Sequence, residues 1–344
     1  MKAMAHRYSL VCAAALASAS FTAPAWAAYH VSHEVHVPGD GGWDYLSVDG
    51  HGDHLFVSHG DRVDVVDLKS LTQAGSIAGT PGVHGIALAE DLGRGYISAG
   101  ATGTIVVFDL KSLARITEIK TSGQNPDAIL YEPKTHRVFA FNGRSQDATV
   151  IDAKTNEVIG RIALEAKPEF AVTDASGHIF VNLEDKNSIA KIDPQSLKVE
   201  SVWTLKGCEE PSGLAIDRKH ARLFSVCSNK VMEIVDAKSG RLVAQLPISA
   251  NVDGAGFDDG NQLAFASGGD GTLTIIKEQT PEKFSVSESP ATKTGARTMA
   301  VDGASHRVFL TTAERGPAPA ATAAQPRPRP AVVPNTFEVL VLEP

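Results

Sequence analysis

Asp127-Ala128-Ile129-Leu130-Tyr131, Thr135-His136-Arg137-Val138-Phe139 and Ala148-Thr149-Val150-Ile151-Asp152 follow one another, separated by Glu132-Pro133-Lys134 and by a stretch carrying the turn sequence Asn142-Gly143-Arg144-Ser145. Each is a short apolar run of strand length bounded by turn residues, and helical periodicity is nearly absent. The unit recurs. Asp127 aligns with the first residues of Asp44-Tyr-Leu-Ser-Val, His84-Gly-Ile-Ala-Leu, Glu169-Phe-Ala-Val-Thr, Ser212-Gly-Leu-Ala-Ile, Asp253-Gly-Ala-Gly-Phe and Arg297-Thr-Met-Ala-Val, at spacings of 40, 43, 42, 43, 41 and 44 residues. A period near 42 marks a radially repeated architecture.

Two further signals fix the register. An aromatic lies twelve residues after six of the seven first positions (Phe56, Tyr96, Phe139, Phe224, Phe265, Phe309), and Phe180 lies eleven after Glu169. Such rings suit the wedge between adjacent sheets, where buried aromatic area is the main stabilising term available. Apolar triplets ending in a polar residue then close the units: Val65-Val66-Asp67, Val107-Phe108-Asp109, Val150-Ile151-Asp152, Lys191-Ile192-Asp193, Ile234-Val235-Asp236 and, in the sixth, Ile275-Ile276-Lys277. A turn and a fourth strand follow, as at Arg115 to Ile119 or Val243 to Ile248. Four short strands per repeat in seven repeats predict an all-β, seven-bladed β-propeller. The last segment, Phe337 to Leu342, is a third strand lacking a fourth, and Val31 to Val37 precedes the first repeat. The N-terminal strand is therefore expected to complete blade seven, which pairs an edge that would otherwise invite aggregation.

Ahead of the repeats, Lys2 and Arg7 flank an apolar run from Tyr8 to about Phe21, and Pro24-Ala25-Trp26-Ala27 follows. This pattern predicts a secretory signal over residues 1–27, cut after Ala27, with residues 28–344 forming one propeller. Val11 before Cys12 argues against a lipoprotein anchor. No other stretch has the apolar length of a membrane span. The expected product is periplasmic or secreted, and monomeric. The formal charge of −8 argues against a nucleic-acid partner, because an acidic chain repels phosphate backbones. Cys208 and Cys227 form an isolated pair and, in an oxidising compartment, a disulfide candidate, with two buried thiols as the alternative. By the repeat register, Cys208 enters the inner strand of blade five and Cys227 leaves the neighbouring second strand, so both fall on one face.

The segments Thr135 to Phe139 and Ala148 to Asp152 resemble the YVTN-type β-propeller repeats of the YncE-like family. The tract Gly207-Cys208-Glu209-Glu210-Pro211-Ser212-Gly213-Leu214-Ala215-Ile216-Asp217 and the Pro-Arg-Pro-Arg-Pro run resemble a secreted bacterial subgroup of it. The resemblance spans the mature chain. It implies the fold and export and says little about function. Some members carry a DNA-binding label, which the acidity here does not support.

Candidate chemistry concentrates at the seven first positions: Asp44, His84, Asp127, Glu169, Ser212, Asp253 and Arg297. Equivalent positions on inner strands form a ring at the channel mouth, and six of these seven are ionisable. Carboxylates such as Asp127, Glu169 and Asp253 suit a divalent cation, Ca²⁺ being the natural choice for oxygen ligands. Arg297 suits an anionic group. The plain alternative is a solvated, water-filled mouth. His59, Arg144 and Glu184 fall in loops expected to line the same funnel. His54, His136, His178, His220 and His306 fall at the turn between first and second strands, on the opposite face, and read as turn residues. His30, His33 and His36 make a weak metal pattern on an outer strand. An insertion at 313–335 in blade seven is rich in proline, which favours extended conformations and excludes regular pairing. A lid, a docking arm and a flexible loop are its three readings.

Haem, nucleophile-elbow, P-loop and zinc-cluster signatures are missing. The reading that follows is a non-enzymatic exported propeller that binds a periplasmic or outer-membrane protein, or a small ligand, at its channel face. The alternative is a metal-dependent hydrolase of lactonase type using the carboxylate ring. Nucleic-acid binding ranks third.

Overall fold

The structure, a computed structural model, describes residues 28–320 and 330–344. The signal segment and the centre of the proline-rich insertion lie outside the described residues. Seven four-stranded antiparallel sheets make seven blades. Blades one to six occupy 46–78, 83–120, 126–163, 168–204, 211–247 and 252–288. Blade seven takes three strands from the C-terminal end and its outer strand, His30–His36, from the N-terminal end. The closing pair runs from His30 opposite Glu343 to His36 opposite Glu338, and the Val37 N–H donates to the Phe337 carbonyl at 3.0 Å. Val35 and Val37 enter the core with Phe337, Val339 and Val341.

The seven repeat aromatics are all buried, at 2% exposure or less. The aspartates that end the third strands explain the recurring turn. Asp109 Oδ1, for example, accepts from the backbone N–H groups of Lys111 and Ser112 and from the Ser112 hydroxyl. These bonds favour the carboxylate and hold the acid below its ordinary value. Leu113 follows at φ 59° and packs over Gly75 of the preceding blade, where a Cβ would meet its methyl at 2.6 Å. Glycine is required there by close approach.

The proline-rich insertion departs from the expected absence of pairing. At its base the Gly316 N–H donates to Ala331 and the Val333 N–H to Glu314, with Arg315 opposite Val332. These paired residues are not prolines, so their N–H groups are available to a ladder. The Arg315 guanidinium lies 5.1 Å from the Trp43 ring, so the insertion rises beside blade one.

Cys208 and Cys227 are joined in a disulfide with Cα atoms 5.3 Å apart. Cys227 stands opposite Pro211 across the first strand pair of blade five. Closing a loop of this size contributes about 3 kcal/mol in the chain-entropy model. Cys208→Ala/Cys227→Ala should lower the unfolding free energy in urea by about that much. The same change should follow reduction of the wild type. Coincident unfolding curves with and without reductant would deny the bond any stabilising role.

Candidate functional site

The inner strands hold the ring residues out of the regular ladder. Register shifts fall between Val83 and Ile86, Pro126 and Ile129, Pro168 and Ala171, Pro211 and Leu214, and Val252 and Gly254. His84, Asp127, Glu169, Ser212 and Asp253 sit in these bulges, a device that re-aims side chains. Asp44 and Arg297 precede the paired segments of their strands. Buried polar groups on second strands pin the ring backbone. Ser98 accepts from Gly85 N–H and donates to the Asp127 carbonyl, and the Asn182 amide donates to the Ser212 carbonyl at 2.9 Å.

Three cations divide the mouth. His84 Nδ1 lies 2.6 Å from Asp44 Oδ2 and 3.6 Å from Asp127 Oδ1. Lys167 bridges Glu169, at 2.6 Å, and Glu184. Arg297 pairs with Asp253 at 2.9 Å. Burial raises Asp253 to about 6 against the pull of Arg297. It raises Asp127 to about 6 against His84, with Asp44 adding to the rise. Burial and then Asp127 raise Glu169 to about 8, opposed by Lys167. Burial works against a charged His84, yet the Asp44 hydrogen bond and the neighbouring carboxylates lift it to about 9. All four values lie above those of an unfolded chain. The ring's contribution to stability is therefore complete below about pH 4 and is lost as pH rises through about 6 to 9.

Beneath the ring, Tyr45 crosses the axis from blade one into a buried cluster that includes Ala128 of blade three, Ala171 of blade four and Ala166 between them. Its ring centroid lies 5.1 Å from that of Phe170. Burial and then the carboxylates of Asp127, Asp44, Glu169 and Asp253 keep its phenol protonated. The passage is thus plugged, not a continuous water-filled channel. Below the plug lies a cavity of about 580 Å³ lined by residues such as Leu46, Ile86, Ile129, Phe257 and Met299. Tyr45, Phe170 and Lys167 escaped the sequence reading. The signal was one residue past each ring position, where Gly85, Ala128, Gly213 and Gly254 are small and only Tyr45 and Phe170 carry large rings. The small ones are forced: a Cβ on Gly213 would stand 2.6 Å from the Asp253 carbonyl.

One expected site residue falls elsewhere. His59, expected on the funnel wall, has no exposed surface. It sits 2.8 Å from Asp64 and against Phe337, at a centroid distance of 4.1 Å, because it ends a strand and faces the neighbouring sheet. Arg144 is exposed in its loop, and Glu184 joins the mouth through Lys167. Ser212 is half-buried, and its hydroxyl lies 3.4 Å from the Val252 carbonyl. The trio Asp127, Glu169 and Asp253 does not converge, since Lys167 and Arg297 occupy two of its members. Among the described residues, the mouth's convergent set is Asp44, His84 and Asp127, whose ligand atoms lie within 4.8 Å of one another.

The fold and this mouth define a seven-bladed β-propeller with a charged rim over an aromatic plug. Residues 51–216 match a family model described as Domain of unknown function (DUF5074). No curated protein sequence matches the chain. Among solved structures it is similar to the RRP9 WD40 repeats, with TM-score 0.73 and 8% identity over 92% of this chain and 97% of that one. U3-55K gives 0.72 and 7% over 91% and 98%. A Kuenenia stuttgartiensis Hydrazine Synthase chain gives 0.69 and 17% over 80% and 94%. At these identities the likeness concerns the fold, which does not select a function. No helix among the described residues is long and apolar enough to cross a membrane.

Proposed function

We propose that this chain is an exported, periplasmic binding propeller of YVTN type. Its mouth takes a cationic group, a guanidinium or ammonium, presented by a periplasmic or outer-membrane protein or by a small ligand. Five carboxylates, Asp44, Asp127, Glu169, Glu184 and Asp253, gathered around three cations at the mouth carry the reading, and burial holds the pKa values of Asp127, Glu169 and Asp253 above their ordinary range. The carboxylates of this buried rim outnumber the cations His84, Lys167 and Arg297 paired with them. An entering cation relieves that crowding, and Asp44 and Glu184 extend the same surface. Residues 1–27 support export by their composition alone. The acidic rim is a poor match for nucleic acid.

One observation favours a second reading, a metal-dependent hydrolase of lactonase type. Asp44, His84 and Asp127 could hold a divalent ion, which would activate water. A nitrogen ligand makes Ca²⁺ a poorer fit than a borderline transition metal.

Arginine amide should raise the melting temperature at pH 8, and Asp127→Asn/Glu169→Gln/Asp253→Asn should abolish the rise. Citrate should give none. Stabilisation by citrate without a response to arginine amide would contradict the proposal. Stabilisation by a divalent ion that Asp44→Asn abolishes would favour the hydrolase.

A further inference from the structure

A second convergence of ligating groups lies far from the mouth in the fold, at the turn between the first and second strands of blade five. Asp217 ends the inner strand of blade five, His220 lies in the following turn, and Glu278 lies on the third strand of blade six. His220 Nδ1 is 2.7 Å from Asp217 Oδ2 and 2.7 Å from Glu278 Oε1. The side chains of Asp217 and Glu278 are 0% and 1% exposed. Despite these distances, His220 Nδ1, Asp217 Oδ2 and both Glu278 oxygens lack any aligned hydrogen-bond partner. The other Asp217 oxygen is anchored by the N–H groups of Lys219 and His220. One oxygen is thus held by the turn while the other is presented.

The chain contains its own comparison. Asp258, at the equivalent position in blade six, accepts from the N–H groups of Gly260 and Asn261 and meets His306 Nδ1 at 2.8 Å in hydrogen-bond alignment. Among the described residues, no third acid pairs with His306. Glu278 is the anomaly. The residue after the polar end of each third strand is Leu68, Leu110, Ala153, Pro194 or Ala237 in blades one to five, and Glu278 in blade six. The backbone confirms the equivalence, because the N–H groups of Leu68, Ala237 and Glu278 donate to Asp53, Ala221 and Gln262 across matching turns. A carboxylate has been placed where blades one to five carry an apolar residue, buried in all but Leu110. Burying such a group without partners is costly.

We infer that Asp217, His220 and Glu278 form a divalent transition-metal site that staples blade five to blade six. One imidazole nitrogen and two carboxylate oxygens within 4.8 Å of one another suit Zn²⁺ or a similar borderline ion. The His220 side chain is 24% exposed, which places the cluster next to the surface. Burial, with Asp217 adding to the rise, lifts Glu278 to about 7 against the pull of His220. This site is independent of the mouth.

The test uses the mature chain stripped with chelator and Zn²⁺ alone as probe. Equilibrium dialysis with metal analysis should find a bound ion that Glu278→Gln loses. At about 100-fold excess over the dissociation constant the melting temperature should rise by about 5 °C. Glu278→Gln should fold, since an amide needs no counter-charge, and His220→Ala provides a second variant should it not. Asp44→Asn/Asp127→Asn, which disables the mouth cluster, should keep the ion. Absence of bound Zn²⁺, or binding lost with Asp44→Asn/Asp127→Asn and kept by both Glu278→Gln and His220→Ala, would overturn the inference.

Discussion

Removal of residues 28–38 should leave a chain that aggregates or unfolds at a much lower denaturant concentration than the intact one. The segment supplies the outer strand of blade seven, with the ladder from His30 to His36 against Glu338–Glu343. It also buries Val35 and Val37, and the Tyr29 hydroxyl donates to the His306 carbonyl at 2.8 Å. Burial of a side chain such as Val or Tyr contributes about 1.5–3 kcal/mol, so three of them exceed much of a typical domain's net stability. The exposed edge of Glu338–Glu343 would then offer unpaired backbone groups to another chain. Light scattering and urea denaturation read both effects. A truncated chain that stays monomeric with an unchanged midpoint would contradict the closure.

Tyr45→Ala should lower stability by about 3 kcal/mol, in the range for truncating a buried aromatic. It should also alter the pH dependence. Burial is the first cause of the raised values of Asp127, Glu169 and Asp253, and water entering past the missing ring would bring them down. The intact chain should lose stability between pH 5 and pH 9 as these acids ionise, and the variant should lose less. Tyr45→Phe should retain most of the plug. Urea unfolding at the two pH values separates the cases. An unaltered pH slope in Tyr45→Ala would mean that the surrounding charges, not the plug, set the rim's acidity.

The fold was legible because burial imposes it repeatedly. Seven aromatics at one register cannot avoid the wedge between sheets, and Phe337 to Leu342 needs the partner that Val31 to Val37 provides. The ring positions were legible for the same reason. Which ring residues meet was not, since His84 could turn to either neighbour and Lys167 stands outside the repeat's first position. His59 looked like a loop residue because strand ends and loop starts share the same composition. His220 read as one of five turn histidines. Its distinction lies in Glu278, a residue remote in sequence that the break at Ile275-Ile276-Lys277 marked without explaining.

Calorimetric titration of the mature chain with arginine amide, in buffers of different ionisation heat near pH 7.5, addresses the binding mouth most directly. Glu169, held near 8, is partly protonated there, and a cation beside it favours ionisation. The account expects saturable binding with net proton release, tighter at higher pH and absent in Asp127→Asn/Glu169→Gln/Asp253→Asn. Binding with no proton release, or equal binding by that variant, would contradict it.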